Sequence, residues 1–264
     1  MSLRSLVGDA RRTFLSSVHT HLVPLGGRGP IISFTFDDFP RSALTTGAPI
    51  LESFGARGTF YVAMSLMNTK NALGEQFSKE DIKNLLGRGH ELGSHTFSHV
   101  SARKLAVADF KREVEKGEQA IEEVLGGRPS ANFAYPYGDV TVATKGQVGA
   151  EMNSCRGTCP GINGPDVDLN LMRAVTLYGD IDRLQAMKEW IEKNQQLKGW
   201  LIFYSHDVQE HPSPFGCTPR LLRGVCAFAA ELGMQVRTVN QVVSELNKSD
   251  RQHYQMIQNR TFAQ

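Results

Sequence analysis

From Ile31 onward, segments with the patterns of strands and helices alternate along the chain, and this alternation limits the possible folds more than any other feature. Runs rich in β-branched and aromatic residues are followed by amphipathic segments that end in glycine. Parallel strands require crossover connections of this kind, so the pattern predicts a parallel sheet wrapped by helices. The chain has 264 residues, of which 41% are hydrophobic, and this is enough for one large core. We therefore expect a single α/β domain.

The sequence also predicts where this domain begins and ends. Polar residues interrupt every short apolar run before residue 26, and a glycine-rich stretch closed by Pro30 forms a predicted joint. We expect residues 1–29 to be an N-terminal appendage, residues 30–246 to be the folded domain and residues 247–264 to be a polar tail. A signal-peptide pattern and a run of ~20 apolar residues are both missing, which for the chain as written predicts a cytoplasmic protein without a membrane span.

Charge and cysteine content argue against several classes of protein. Lysine and arginine together number 29 against 27 acidic residues, and a net charge of +2 argues against a nucleic-acid partner. The four cysteines are too few for a disulfide framework, and Cys155-x-x-x-Cys159 lacks a second close pair that would complete a zinc site. We expect ordinary thiols, with a Cys155–Cys159 disulfide as the open alternative. The oligomeric state is left open.

The most apolar predicted strand, Ile31 to Phe36, ends in two adjacent carboxylates, Asp37 and Asp38. Pro40 stops the strand because proline has no N–H to give to a sheet. Catalytic side chains collect at the carboxyl ends of parallel strands, since the strand holds them rigidly and the next loop admits substrate. On its own an Asp-Asp pair more often only starts a turn. The pair is therefore a candidate catalytic site that needs support from other segments.

Two histidines, His95 and His99, provide that support. Four residues apart, they would lie on one face of a helical turn, where both imidazoles can reach one cation. Surface or capping histidines can fall at the same spacing by chance. A strand-end carboxylate favours the metal site, because two histidines and one aspartate leave coordination positions open for water and substrate.

Two further strand ends carry polar or aromatic groups. The strand near Phe133 runs into the turn Pro136-Tyr137-Gly138, where a proline-stiffened backbone could aim an N–H into a site, although such aromatics more often only pack. The apolar run Trp200 to Tyr204 leads to His206, which emerges at a strand mouth and could equally be a hydrogen-bonded boundary residue.

In their order and spacing, four segments resemble the NodB-homology polysaccharide deacetylases, and the resemblance covers roughly residues 30 to 245. It implies a distorted (β/α) barrel of about seven parallel strands. It also implies hydrolysis of N-acetyl, less often O-acetyl, groups on an acetylated carbohydrate with the help of a divalent metal, usually zinc. The segments are Thr35-Phe36-Asp37-Asp38, His95-Thr96-Phe97-Ser98-His99, Phe133-Ala134-Tyr135-Pro136-Tyr137-Gly138 and Ile202-Phe203-Tyr204-Ser205-His206.

The resemblance also implies roles for individual residues. Asp37 would be the general base and His206 the general acid. The turn at Pro136 and Tyr137 would contact substrate, with the Tyr137 backbone N–H donated to the oxyanion. The metal ligands would be Asp38, His95 and His99.

The chain departs from the family pattern at two positions. Many members have an arginine, paired with the base aspartate, where this chain has Ala134, and many have an Asp-Trp pair where Asp180 is followed here by Ile181. We predict that Arg173, at the start of a predicted strand, replaces the missing guanidinium beside Asp37.

Two other functions fit the same barrel. One is hydrolysis of a cyclic amide or ureide, as in allantoinase-like relatives, although those relatives usually alter the metal motif that this chain keeps whole. The other is a non-catalytic carbohydrate-binding protein with a residual metal site. Retention of Asp37 and His206 argues against it, because binding alone needs neither a base nor an acid.

Overall fold

A computed structural model describes residues 14–127 and 132–248. The strands are β1 (Leu22–Pro24), β2 (Ile31–Asp37), β3 (Thr59–Val62), β4 (Lys70–Asn71), β5 (Gly74–Glu75), β6 (Glu91–Ser94), β7 (Asn132–Ala134), β8 (Ser154–Arg156), β9 (Asp166–Asp168), β10 (Val175–Thr176), β11 (Trp200–Ser205) and β12 (Gln235–Val236). At the centre is a curled sheet of seven parallel strands in the order β10-β11-β2-β3-β6-β7-β8, with β12 also paired to β2. The predicted α/β fold is confirmed.

Helices connect the strands and cover one face of the sheet. Side chains cap two of the helices: Ser78 and Asp81 form a capping box, and Thr218 caps a helix that has Pro219 in its first turn. The helices are α1 (Ala48–Ser53), α2 (Lys79–Gly87), α3 (Val107–Leu125), α4 (Val142–Gly149), α5 (Leu184–Leu197), α6 (Pro219–Glu231) and α7 (239–248).

Strand β2 lies in the middle of the sheet and is buried along its whole length. Ile32, Phe34 and Phe36 pack in one apolar cluster with residues of α1, α5 and α6. The alternate residues point to the other face, where Thr35 Oγ1 donates a hydrogen bond to a backbone carbonyl of β11. Because side chains alternate in this way, Asp37 ends the row that faces the inside of the barrel.

The prediction that residues 1–29 are an appendage is wrong for the part of this range that the structure describes. Strand β1 pairs with β9, and Val23 and Leu25 are buried in a core cluster. The fully buried Lys145 donates hydrogen bonds to Leu15 O and to Asp168 Oδ2, each at 2.7 Å. Sequence pattern could not show this, because Lys145 and β9 both lie more than 120 residues along the chain from the N-terminal residues that they contact. Residues 1–13 lie outside the described residues.

Replacing Lys145 with methionine tests how firmly this segment is held. We expect the free energy of unfolding to fall by about 3 kcal/mol, because the change leaves a carboxylate and a carbonyl without their buried donor. Amide exchange over residues 14–25 should speed up. Lys111→Met is the matched control, since Lys111 pairs with Glu151 at the surface, where an ion pair contributes little. Equal effects of the two substitutions would contradict this anchoring role.

Three smaller predictions can be compared with the described residues. All four cysteines lie among them and are free, as expected. None of the helices in the described ranges is long and apolar enough to cross a membrane. Residues 247 and 248 continue α7, and the rest of the predicted polar tail, residues 249–264, lies outside the described residues.

Candidate metal centre and active site

The two aspartates that follow β2 are separated by a sharp change in backbone direction. Asp37 is the last strand residue, and Asp38 and Phe39 both have left-handed backbone conformations, with φ of 64° and 58°. The buried Phe39 ring packs 5.0 Å from Phe60 and 5.2 Å from Phe77, which anchors the turn. The two adjacent carboxylates therefore lie in different parts of the barrel, with Asp37 inside it and Asp38 at its mouth.

The two histidines are brought together by a loop, so the predicted helical turn is wrong. His95 directly follows β6, and the backbone is left-handed at Thr96 (φ 64°) and at His99 (φ 52°). The imidazole centroids end 5.0 Å apart. Left-handed conformations cost energy for residues other than glycine and concentrate at functional sites. Of the eight such residues in the described ranges, five belong to the predicted motifs or adjoin them.

Asp38, His95 and His99 form a cluster whose potential ligand atoms all lie within 4.8 Å of one another. The Asp38 Oδ1 atom is 3.2 Å from His99 Nε2 and 3.7 Å from His95 Nε2. Within residues 14–127 and 132–248, this buried oxygen has no hydrogen-bond partner. Leaving a buried carboxylate oxygen without a partner is costly unless something else binds it.

The hydrogen bonding and the protonation states of the three cluster residues leave ligand atoms free to bind a cation. His95 Nδ1 donates a hydrogen bond to Ala134 O at 2.7 Å, which leaves Nε2 as the unprotonated nitrogen facing Asp38. Burial lowers the pKa of His95 to about 3 and also lowers the pKa of His99, so both imidazoles are neutral at pH 7. Burial raises the pKa of Asp38 to about 6. Two neutral imidazoles and one buried carboxylate suit a divalent cation such as zinc.

Asp37 is paired with an arginine, but that arginine is Arg156 and not Arg173. Arg156 Nη2 lies 2.5 Å from both Asp37 oxygens. Arg173 is exposed, and its guanidinium contacts Pro160 O at 3.4 Å and Cys159 Sγ at 3.8 Å. Burial alone would raise the pKa of Asp37, but the guanidinium beside it lowers that pKa below its usual range. The carboxylate is therefore held in its ionised form.

Arg156 reaches Asp37 from the far side of the barrel. In the sheet, β3, β6 and β7 lie between β2 and β8, which in a flat sheet would place the two strands about 19 Å apart. The guanidinium crosses the interior between the rings of Tyr61 and Tyr204, at 5.2 Å and 5.0 Å from their centroids. Gly93 makes room for the Tyr61 ring, since a Cβ there would lie 2.6 Å from it.

The position of Arg156 also explains the alanine at position 134. Ala134 and Arg156 are direct register partners in neighbouring parallel strands, so their side chains project from the same face of the sheet. A side chain at either position can therefore approach the same part of the barrel interior. The arginine of this chain lies one strand further along than the family pattern places it.

The third predicted segment forms a rigid turn at the mouth of the barrel. Pro136 is buried and begins a short 3₁₀ turn, Pro136–Gly138. Tyr137 has a left-handed backbone (φ 61°) and an exposed side chain, and its ring centroid lies 4.6 Å from that of His99. The turn therefore places Tyr137 next to the cluster of Asp38, His95 and His99.

His206 lies just beyond β11 and is oriented by backbone rather than by a carboxylate. Its Nδ1 donates a hydrogen bond to Phe215 O at 3.1 Å, which directs Nε2 away from that carbonyl. Its ring packs against those of Tyr178 and Phe215, with centroid distances of 5.9 Å and 5.8 Å. Asp180 instead caps the turn that precedes α5, where it accepts hydrogen bonds from Ile181 N and Thr218 Oγ1.

Comparison with known proteins identifies relatives of this chain among deacetylases. The model of the polysaccharide deacetylase family matches residues 26–153. A chitin deacetylase of Arthroderma benhamiae is 35% identical over 109 residues, which are 40% of this chain and 27% of that protein. A peptidoglycan-N-acetylglucosamine deacetylase of Listeria monocytogenes is 26% identical over 151 residues, 56% of this chain and 30% of that protein. The chain thus spans less than a third of the length of these curated relatives.

Solved structures show the same fold. The chitin deacetylase from the fungal pathogen Colletotrichum lindemuthianum superposes with a TM-score of 0.53 at 19% identity, covering 81% of this chain and 87% of that one. The curled parallel α/β barrel is thus the fold of these solved deacetylase structures. Over residues 26–153, this chain matches the polysaccharide deacetylase family.

Proposed function

We propose that the domain over residues 30–246 is a metal-dependent deacetylase that hydrolyses N-acetyl groups, and by the same chemistry O-acetyl groups, on a polysaccharide or oligosaccharide. The proposal rests on one observation: a cluster of potential metal ligands and a separate ionised carboxylate lie at the same mouth of the barrel. The cluster consists of Asp38, His95 and His99. The carboxylate is the ionised Asp37, held by Arg156 beside that cluster.

Asp38, His95 and His99 are proposed to hold the cation, most suitably zinc. When bound, such a cation would polarise the acetyl carbonyl and make a water molecule more acidic. Asp37 is the proposed general base and accepts the proton of the attacking water. Arg156 favours this role by keeping the carboxylate ionised and fixed in direction.

The remaining groups would handle the negative charge and the leaving amine. The backbone N–H of Tyr137 is proposed to donate a hydrogen bond to the oxyanion, with Pro136 fixing the turn that presents it. His206 is the proposed general acid. Because its Nδ1–H is donated to Phe215 O, Nε2 is the nitrogen from which a proton can pass to the departing amine.

Hydrolysis of a panel of substrates tests this proposal, measured as acetate release for the acetylated sugars and as ring opening for the ureide. The panel contains acetylated amino-sugar oligomers, O-acetylated xylan oligomers and a cyclic ureide, each with and without chelator. We expect acetate from the amino-sugar oligomers and loss of activity with chelator. Hydrolysis of the ureide alone would support the allantoinase-like alternative, and sugar binding without hydrolysis would support a non-catalytic carbohydrate-binding protein.

A further inference from the structure

Two exposed aromatic rings lie against the proposed catalytic residues. Among the described residues, five large apolar side chains are exposed, and two of them belong to the site. The Tyr137 ring contacts His99, and the Phe215 ring lies 5.8 Å from the His206 ring. Isolated exposed apolar residues are ordinary, but a pair at one functional site is not explained by chance exposure alone. The five are Phe14, Leu22, Tyr137, Leu197 and Phe215.

The loop that carries Phe215 is rigid without any contribution from the phenyl ring. The buried Asp207 carboxylate accepts hydrogen bonds from Ser213 N at 2.8 Å and Ser213 Oγ at 2.5 Å. Cys217 N donates to Asp207 O at 2.9 Å, and Gly216 packs so closely on Asp207 that any side chain there would collide with it. Polar contacts therefore fix the loop, and the 53% exposed Phe215 ring is not required to close it.

The ring is nevertheless held in one orientation. Tyr178 meets it edge to face, with centroids 6.1 Å apart and an interplanar angle of 81°. The Phe215 carbonyl accepts hydrogen bonds from both the backbone N–H and Nδ1 of His206. The same residue thus orients the proposed acid with its backbone and presents a flat apolar surface beside it with its side chain.

From this geometry we infer that Phe215, braced by Tyr178, forms a sugar-binding subsite next to the reacting centre. It would stack on the pyranose ring that neighbours the unit being deacetylated, on the His206 side. One face of a pyranose ring carries several C–H groups, and an immobilised aromatic ring buries that face at little cost in entropy. The inference rests on the proposed deacetylase function and assigns a residue that would bind the sugar next to the reacting unit of the sugar chain.

The test compares substrates of two lengths, N-acetylglucosamine and its β-1,4-linked pentamer. We expect Phe215→Ala to lower the ratio of kcat/KM for the pentamer to kcat/KM for the monomer by about tenfold, mainly through KM, because only the pentamer occupies the subsite. Phe215→Trp should restore the ratio, since it keeps a flat ring. Phe14→Ala is the matched control: Phe14 is 58% exposed but lies in the N-terminal segment, and the ratio should not change.

Calorimetric titration of the pentamer separates failure of the subsite from failure of the proposed function. We expect Phe215→Ala to weaken pentamer binding about tenfold even if no acetate is released. Weakened binding without hydrolysis in any variant would remove the proposed activity and keep the subsite. An unchanged length ratio, equal pentamer affinity for wild type and Phe215→Ala, or no pentamer binding by the wild type would overturn the subsite.

Discussion

Replacing Asp37 with asparagine is expected to lower turnover by about 10² to 10⁴ while the protein keeps its metal. Asparagine has nearly the same shape as aspartate but cannot accept a proton from water. Asp37 lies inside the barrel against Arg156, and it is not a member of the cluster formed by Asp38 and the two histidines. Its loss should therefore affect proton transfer rather than metal binding.

Two measurements on the same samples decide the roles of the adjacent carboxylates. Bound metal is determined by elemental analysis, and acetate release is determined at saturating metal. Asp38→Asn is the matched variant, and it should lose metal affinity because Asp38 Oδ1 is the buried oxygen that faces both histidines. If Asp37→Asn loses its metal, or keeps near-normal turnover, Asp37 is not the base.

Replacing Arg156 with methionine is expected to lower the free energy of unfolding by about 3 to 5 kcal/mol and to reduce turnover by about 10² or more. The substitution leaves the Asp37 carboxylate buried without its counter-charge, and breaking a buried ion pair from one side costs this much. Without the guanidinium, burial would raise the pKa of Asp37, so less of the carboxylate would be ionised and able to act as the base. Urea denaturation and acetate release measure the two effects.

Two double variants separate stability from activity. Asp37→Asn with Arg156→Met removes both charges and should recover most of the lost stability but none of the turnover. Ala134→Arg with Arg156→Ala moves the guanidinium to its register partner and should recover part of the turnover. If Arg156→Met alone is as stable and active as the wild type, the pair has no role in positioning Asp37.

The parts of the fold that the sequence predicted are those governed by local pattern. β2 and β11 are long, apolar and buried on both faces, and their predicted bounds agree with the structure to within a residue. β6 was missed because its four residues, Glu91–Ser94, include a charge and a glycine. That glycine is needed for a distant contact, the approach of the Tyr61 ring, and no local pattern reports such a requirement.

In the candidate site, too, residues at strand ends could be predicted from local pattern, whereas contacts between distant segments could not. Asp37, Asp38 and His206 stand at the ends of recognisable strands, so their convergence at one barrel mouth could be predicted. Arg156 is the last residue of β8, and a charge at that strand end was an available signal. Its partner could not be predicted, because the contact with Asp37 depends on how far the sheet curls. Arg173 was selected from its place in the sequence, and the chain turns it towards a surface loop.

Zinc titration of the metal-stripped protein tests the central claim most directly. Acetate release from an N-acetylglucosamine oligomer should be absent at first, rise in proportion to added zinc and level off at about one equivalent per chain. His95→Ala and His99→Ala, titrated in parallel, should need far more zinc, because each lacks one ligand of the cluster. Full activity in the stripped protein, or identical titrations for the wild type and both histidine variants, would contradict a catalytic metal held by Asp38, His95 and His99.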